Sequence, residues 1–310
     1  MRTSGESRSL TRHATSLCCC ALTLAVAACG SGRMSGDAAP AAPAASNPPP
    51  AARSVVDTGV GRAVFSHPVR IDNPFNPLVP GSQFVLQGRA DRGTGRRPHR
   101  VVLTVTDLTK VIDGVRTRVL WDRDYNAGRL LEGELAFQAQ DDAGNLWSFG
   151  EYPEEYEGGR FAGAPDTWIV GTQGARAGIL MRAAPRKRTS SYLQGSAPRI
   201  HFADRARVLA TGVRTCVPHA CYRGVLVIDE WNPSEPGAHQ RKYYAPGVGN
   251  IRVGAAGGKE GEVLVLVDVM RLGPRALAAA GREALRLERR AYRVWPATYG
   301  TTPPARRDAS

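Results

Sequence analysis

Val101-Val102-Leu103-Thr104-Val105-Thr106 is the segment that indicates the fold class of this chain most clearly. It consists of β-branched and aliphatic residues, and alternation places Val101, Leu103 and Val105 on one face, which predicts a β-strand. Asp113-Gly114 follows between apolar residues, and an Asp-Gly pair in that setting is the strongest short-range signal for a β-hairpin. Thr117–Arg123 then fits the return strand. Together these segments predict an antiparallel hairpin.

The same strand-turn pattern repeats along most of the chain. Apolar and polar residues alternate from Glu134 to Gln140, a long hairpin is predicted from Arg205–Arg214 and Tyr222–Trp231, and Glu262–Val269 is almost entirely aliphatic. The sequence therefore predicts a mainly β fold, either an antiparallel meander or a curled sheet or half-barrel similar to lipoprotein-carrier folds. Residues 171–205 are rich in Gly, Arg and Ser, and they predict only loops with one or two strands.

One late amphipathic helix is predicted over residues 274–292. Pro274 suits the first helical position, and apolar residues then recur at helical spacing: Leu277, Ala280, Ala284, Leu287 and Ala291. Residues 293–310 lack such a pattern and predict a flexible C-terminal tail.

The N-terminus carries a secretion signal over residues 1–28. Three arginines precede a short apolar run that ends in Val26-Ala27-Ala28-Cys29, and this run is too short to span a bilayer as a helix. The small-small-Cys ending resembles the lipobox of bacterial lipoproteins, in which the cysteine thiol receives the lipid. We therefore expect an extracytoplasmic protein that is lipid-anchored at Cys29 to the cell membrane or the outer membrane. The alternative is an ordinary cleaved signal peptide in which Cys29 is incidental.

The composition of the remaining chain predicts its domain organisation and its class of partner. Residues 29–58 contain Ala, Pro, Gly and Ser with few large apolar side chains, which predicts a disordered linker after the lipidated cysteine and a β domain over residues 59–273. The formal charge is +13, but 37 of the 41 basic residues are arginines, as a GC-rich genome would encode. We therefore predict no nucleic-acid partner, and we expect a lipid, a cell-wall polymer or an envelope protein instead.

Two cysteines remain in the mature chain besides Cys29. Cys216 and Cys221 flank a short turn, and in an oxidising compartment such a pair predicts a disulfide. The alternative is a metal-binding or redox site in which His219 contributes. A structural zinc site needs four ligands, and no second pair stands at ligand spacing, so we predict neither a metal nor a cofactor.

No catalytic motif is present in the sequence. His-Glu-x-x-His and Gly-x-Ser-x-Gly are both missing, so we predict no catalytic residue and a protein that is not an enzyme. A hydrolase acting on a glycan or an ester remains the alternative, because several carboxylates could pair for acid–base chemistry: Glu132, Glu134, Glu151, Glu154 and Glu155. Charges on the solvated face of a sheet would explain the same residues.

Aromatic side chains supply weaker candidates for ligand binding. Those that stand near turns or acidic residues are Trp147, Tyr152, Trp168, Tyr243 and Tyr244. Core packing would explain the tryptophans, and a structural corner beside Pro246-Gly247 would explain the tyrosine pair.

Four further stretches carry a resemblance to a known family. They are Asp142-Ala143-Gly144-Asn145-Leu146-Trp147-Ser148-Phe149-Gly150-Glu151, Ala177-Gly178-Ile179-Leu180-Met181, Glu230-Trp231-Asn232-Pro233-Ser234-Glu235-Pro236-Gly237 and Lys242-Tyr243-Tyr244-Ala245-Pro246-Gly247-Val248-Gly249. In this order, residues 73–254 resemble an uncharacterised family of bacterial secreted proteins and lipoproteins. The resemblance implies no established activity and no site residues. The two-cysteine turn and the late helix depart from that family's pattern.

These observations lead to one expectation for function. We expect a non-catalytic binding or structural β domain at the cell envelope, held at a membrane by its lipid anchor. One variant is a carrier that encloses an apolar ligand or lipid inside a curled sheet, and it predicts an interior that is lined with apolar residues but not filled.

Overall fold

The chain folds around one large antiparallel sheet. The structure is a computed structural model that describes residues 54–57, 62–93, 95–258 and 261–308. The signal peptide, Cys29 and most of the predicted linker lie outside these residues. Within the described residues, no helix combines the length and the apolar character needed to cross a membrane.

The elements follow one another in this order. The strands before the middle of the chain are β1 (Ser54–Asp57), β2 (Arg62–Phe65), β3 (Ser82–Asp91), β4 (Arg96–Ile112), β5 (Val115–Asn126), β6 (Arg129–Gln140) and β7 (Leu146–Glu157). Short strands follow, namely β8 (Arg160–Gly163), β9 (Trp168–Ile169), β10 (Arg176–Met181), β11 (Tyr192–Leu193) and β12 (Gly195–Ser196), and then a 3₁₀ turn at Pro198–Ile200. The remaining elements are β13 (Arg205–Cys216), β14 (Cys221–Trp231), β15 (His239–Ala245), β16 (Gly249–Ala255), β17 (Val263–Arg271), α1 (Pro274–Val294), α2 (Pro296–Tyr299) and β18 (Arg306–Arg307).

Two meanders form the sheet, and they join side by side. Strands β3 to β7 pair in sequence order, β13 to β17 do the same, and β17 pairs with β3 to join the two halves. The hairpin between β4 and β5 turns at Asp113-Gly114, where both residues have positive φ, as the sequence predicts. The predicted antiparallel, mainly β fold is confirmed.

The segment between the meanders closes the sheet on itself. Strand β12 pairs with β10 at the end of the first meander, and β11 pairs with β13 at the start of the second. Only Gln194 separates β11 from β12, so one short stretch of chain connects both ends of the curled sheet. Gly178 permits this closure, because a Cβ there would stand 2.3 Å from the backbone of Gln194 and Gly195. The sheet is therefore curled and nearly closed, with an inside and an outside.

Both faces of the curled sheet are buried along β6. Ala136 belongs to the inner cluster of apolar side chains, whereas Leu135, Phe137 and Ala139 belong to a second cluster outside the sheet. Helix α1 covers that outer face with a stripe of buried residues that includes Ala280, Ala284, Leu287 and Ala291. The predicted helix is thus present, and it extends two residues further than expected, to Val294.

The predicted flexible tail is wrong, because residues 293–308 pack against the sheet. Tyr299 is fully buried, and β18 pairs with β4. The buried ammonium of Lys110 binds the Glu288 carboxylate at 2.8 Å and the Pro303 carbonyl at 2.8 Å, which ties the helix and the tail to β4. A buried charge needs such partners, and the tail supplies one of them.

The linker prediction fails at its C-terminal end. Residues 54–57, assigned to the linker, form β1 and pair with β2 in an antiparallel ribbon. Val55 and Val56 are consecutive β-branched residues, which favour a strand over a disordered spacer.

Cys216 and Cys221 form the predicted disulfide at the turn between β13 and β14.

Candidate functional site: the interior cavity

The curled sheet contains a partly open cavity of about 150 Å³. Its walls come from both meanders and from Gln194 in the closing segment. Most of the interior is filled by side chains, so the cavity is a small unfilled part of the core. An engineered apolar cavity of this size in another protein binds benzene.

One part of the cavity wall is apolar. It is lined by buried aliphatic and aromatic side chains, among them Leu78, Phe84, Leu86, Val101, Leu120 and Leu264. These residues occupy inward positions on β3, β4, β5 and β17 and on the segment before β3. The contacts they offer suit an apolar group.

The other part of the wall is acidic. Five carboxylate residues line it, and we call them the acidic belt: Asp122, Glu134, Glu151, Asp204 and Glu230. Asp122 on β5 stands directly opposite Glu134 on β6 in the strand register. Like charges opposite each other destabilise a sheet, so this pair works against the stability of the fold.

Lys242 is the one cation among the described residues that line the cavity. Its ammonium lies 2.5 Å from Oε2 of Glu230. The other carboxylate oxygen of Glu230 accepts a hydrogen bond from Gln194 Nε2 at 3.1 Å, and the Tyr244 hydroxyl lies 3.5 Å from it. Glu230 therefore has its countercharge within the wall.

Asp204 has a different environment from Glu230. Burial raises the pKa of the Asp204 carboxyl well above its ordinary value, and the neighbouring charges of Glu151 and Glu230 raise it further. Its Oδ1 atom is buried without a hydrogen-bond partner. Glu151 accepts a hydrogen bond from the Trp168 indole at 3.1 Å.

Asp122 shows the same effect at a second point of the belt. Burial raises the pKa of its carboxyl to about 6, although the backbone N–H and the charge of Arg123 oppose the shift. Its Oδ1 atom also lacks a hydrogen-bond partner, as does Oε1 of Gln138. The cavity wall thus presents three acceptor atoms without a donor, on Asp122, Gln138 and Asp204.

A second polar cluster lies beside the belt, with residues on β4 and β5, directly after β3 and directly before β17. His99 Nε2 lies 2.8 Å from Glu262 and its Nδ1 lies 3.3 Å from Asp124. Ligand atoms of these three residues lie within 4.8 Å of one another, a spacing that a divalent cation could bridge. The Arg92 guanidinium, however, lies 3.2 Å from Glu262 and 3.5 Å from Asp124. We therefore interpret the cluster as an ion-pair network in which arginine supplies the countercharge.

The pKa values in this network agree with that interpretation. Burial raises the pKa of the Asp124 carboxyl to about 7, against the charges of His99 and Arg92. Burial also acts to raise the pKa of Glu262, but the hydrogen bond from His99 and the charge of Arg92 outweigh it, so that pKa is lowered. Glu262 is the ionised partner of the network.

The five predicted aromatic candidates divide between the two sides of the sheet. Trp147 and Tyr152 lie in the outer cluster, where the Trp147 indole donates to Asp141 and the Tyr152 ring packs on Tyr299. They form core and do not line the cavity. Trp168 also packs outside, although its indole reaches Glu151 of the belt.

Tyr243 and Tyr244 point to opposite faces of β15, as alternation requires. Tyr244 is buried and lines the cavity. Tyr243 is half-buried, does not line the cavity and lies under the Arg252 guanidinium, 5.1 Å from the ring centre. Of the five candidates, Tyr244 is the one that the fold brings to the cavity wall.

The carboxylates named for a hydrolase do not form a solvated face. Glu132, Glu134, Glu151 and Glu154 are all less than 10% exposed. Glu134 and Glu151 line the cavity, whereas Glu154 lies on the other face of the sheet and pairs with Arg290 at 2.7 Å. Glu155 is half-buried, and burial raises its pKa.

The sequence does not identify Asp122, Asp204, Glu230 or Lys242 as site residues. A signal exists for one of them, because alternation places Asp122 on the same face as Leu120. A carboxylate two residues from an inward-facing leucine on the same strand also points inward when the sheet curls. The partnership between Asp122 and Glu134 depends on the strand register, which the sequence alone does not fix.

Comparisons with known proteins give little likeness. No protein-family model and no curated protein matches the chain. A candidate exported protein with a YmcC-like fold from Bacteroides fragilis is 13% identical, with a TM-score of 0.34 over 64% of this chain and 99% of the other. A candidate lipoprotein from Parabacteroides distasonis is 11% identical, with a TM-score of 0.30 over the same shares. Scores at this level carry no argument about fold or function.

Proposed function

We propose that this protein is a lipid-anchored, extracytoplasmic binding protein whose curled sheet holds a small ligand in its interior cavity. The single observation that carries the proposal is a cavity with one apolar wall and one acidic wall inside an otherwise filled core. A wall of unpaired acceptors and opposed carboxylates costs stability, and such a cost is typical of a functional site. A ligand that satisfied these groups would account for their presence.

The extracytoplasmic location rests on two features of the chain. The N-terminus has the pattern of a lipoprotein signal that ends at Cys29. The Cys216–Cys221 disulfide suits an oxidising compartment. Neither feature depends on the cavity.

The stretches that carry the family resemblance support the cavity as the site. Each of the four stretches places at least one residue on the cavity wall: Glu151, Leu180, Glu230, and Lys242 with Tyr244, Val248 and Gly249. These stretches are far apart in sequence and meet at the cavity. We propose that the chain belongs to that family and that the interior cavity is the site its members share.

The size of the cavity limits the ligand. A volume of about 150 Å³ suits a molecule of about six to eight non-hydrogen atoms, by comparison with benzene in an engineered cavity. Pockets for drug-sized ligands occupy roughly 300–1,000 Å³. A whole diacyl lipid does not fit, so the proposed ligand is a small molecule or one end of a longer chain.

The proposal can be tested by filling the cavity. Ala136 lines it and is almost fully buried, so Ala136→Leu would occupy part of the volume without adding a polar group. We expect this variant to remain folded and to lose binding of hexylamine and 1-hexanol, measured by calorimetry on the full chain. Ala276→Leu, on the exposed face of α1, is the matched control and should bind as the wild type does. Unchanged binding in Ala136→Leu would contradict the proposal.

The anchor has its own test in cells. Metabolic labelling with an alkyne fatty acid should label the wild-type chain and leave Cys29→Ser unlabelled. Cys20→Ser, within the signal segment, is the matched control and should be labelled normally. Label retained by Cys29→Ser would refute lipidation at that residue.

A second candidate function, acid–base hydrolysis, is favoured by one observation. Asp122 has a raised pKa of about 6 and stands opposite Glu134 in the register, so one carboxyl could donate a proton while the other is ionised. The small cavity makes this candidate second to binding. Turnover of small p-nitrophenyl esters or glycosides by the wild type, lost in Glu134→Gln, would place hydrolysis first.

A further inference from the structure

The lining of the cavity contains more carboxyl groups than cations. Five carboxylates line the cavity, and Lys242 is the one cation among the described lining residues. That ammonium lies against Glu230 at 2.5 Å. The lining therefore contains one cation, in contact with Glu230, and five carboxyl groups.

The unpartnered atoms of the wall all have the same chemical character. Oδ1 of Asp122, Oε1 of Gln138 and Oδ1 of Asp204 are buried oxygens without a hydrogen-bond partner. Asp204 is 9% exposed and lines the cavity, so no bulk solvent compensates for the missing partner. The Gln138 oxygen is always an acceptor, and the carboxyl oxygens of Asp122 and Asp204 are acceptors only when these groups are ionised. The group that would complete the ionised wall is therefore a donor.

We infer that the cavity selects an organic cation: a primary alkylammonium group that donates to the acidic belt while its short alkyl part lies against the apolar wall. This inference rests on the proposed binding function and specifies its ligand class. An ammonium carries three donors and a positive charge, which matches unpaired acceptors beside carboxylates. An anionic head group would meet repulsion from the ionised carboxylates of the belt, so we expect it to bind more weakly than an ammonium.

The protonation of Asp204 provides an independent consequence. The pKa of Asp204 is raised because its carboxyl is buried among other carboxylates. Without a ligand, this carboxyl therefore stays protonated at pH values at which an ordinary aspartate is ionised. An ammonium placed beside it would lower that pKa and expel the proton. Binding of the cation is therefore coupled to proton release, whereas binding of a neutral alcohol is not.

The test compares three probes of one chain length on the full chain by calorimetry: hexylamine, 1-hexanol and hexanoate. We expect hexylamine to bind about 10- to 100-fold more tightly than 1-hexanol, as a charge-assisted hydrogen bond would give, and hexanoate to bind most weakly. The hexylamine enthalpy should vary with the ionisation enthalpy of the buffer, which reports proton release. Asp204→Asn should reduce the preference for the amine about tenfold. Asp268→Asn, on the exposed face of β17, should leave it unchanged.

The outcomes separate the two proposals. If all three probes bind equally, or hexanoate binds best, the inference about the cation is wrong and the interior site stands. If none of the probes binds, the proposed function itself is wrong for ligands of this size. If Asp204→Asn does not fold, the buffer dependence of the wild-type enthalpy still decides, and an enthalpy equal in all buffers overturns the inference.

Discussion

Asp122→Asn should stabilise the protein, although most substitutions at buried positions destabilise. The raised pKa means that the folded state holds the Asp122 proton over a pH range in which the unfolded state has lost it. The pKa rises from 3.8 to about 6, and this difference of about 2.2 corresponds to about 3 kcal/mol.

The direction with pH follows from proton linkage. Between pH 4 and pH 6 the unfolded chain binds fewer protons at this residue than the folded chain, so the contribution of Asp122 to stability falls as the pH rises. Asparagine keeps the shape and carries no ionisable proton. The variant should therefore match the wild type near pH 4 and exceed it by about 3 kcal/mol at pH 7.

Urea unfolding at pH 4, 5, 6 and 7 measures this difference directly. Asp268→Asn removes an exposed aspartate from the outer face and should change stability by less than about 0.5 kcal/mol at every pH. If the stability of Asp122→Asn relative to the wild type does not increase between pH 4 and pH 7, the unfavourable burial of this carboxyl in the cavity wall is refuted. An equal increase in the control would refute it as well.

Two further predictions concern the buried ion pair between β4 and α1 and the disulfide of the β13–β14 hairpin. Glu288→Gln should lower the free energy of unfolding in urea by about 3–5 kcal/mol, because it leaves the fully buried Lys110 ammonium without its countercharge. The exposed control Glu283→Gln should lower it by less than about 0.5 kcal/mol. An equal effect in both variants would contradict the buried ion pair. Replacing Cys216 and Cys221 with serine should lower the free energy of unfolding by about 2 kcal/mol, the value that the chain-entropy relation gives for so short a loop. A decrease of more than about 4 kcal/mol would show that the disulfide does more than restrict the unfolded chain.

Much of the fold could be predicted from local patterns. Alternation in Val101–Thr106 and the Asp113-Gly114 turn identify the first hairpin, and the apolar stripe from Leu277 to Ala291 identifies the late helix. These are local signals, since each depends on residues close together in the chain. The closing segment at Gln194 is different, because its short strands are defined by partners on β10 and β13.

The candidate site could not be predicted in the same way. On β6 the apolar face, with Leu135 and Phe137, lies outside under α1, and the polar face, with Glu134, lines the interior. Alternation predicts two faces but not which one points inward when both are covered. The sequence therefore favours a solvated position for Glu134, and the curled sheet with its outer layer reverses that assignment.

The tail illustrates the same limit. Residues 293–310 contain no periodic pattern, yet Tyr299 is fully buried and Pro303 binds Lys110. These contacts satisfy a lysine on β4 that is almost two hundred residues away in sequence. No local sequence pattern indicates that Lys110 requires a partner from the tail.

The most direct test of the central claim, that the interior cavity is the binding site, is a methyl NMR titration of the full chain with hexylamine. Leu86, Leu120 and Leu264 line the cavity, whereas Leu108 and Leu287 lie in the outer cluster and serve as internal controls. If hexylamine binds in the cavity, the methyl signals of the three cavity leucines should shift saturably and those of the two outer leucines should stay unchanged. No shift at the cavity leucines, or shifts at Leu108 and Leu287 instead, would contradict it.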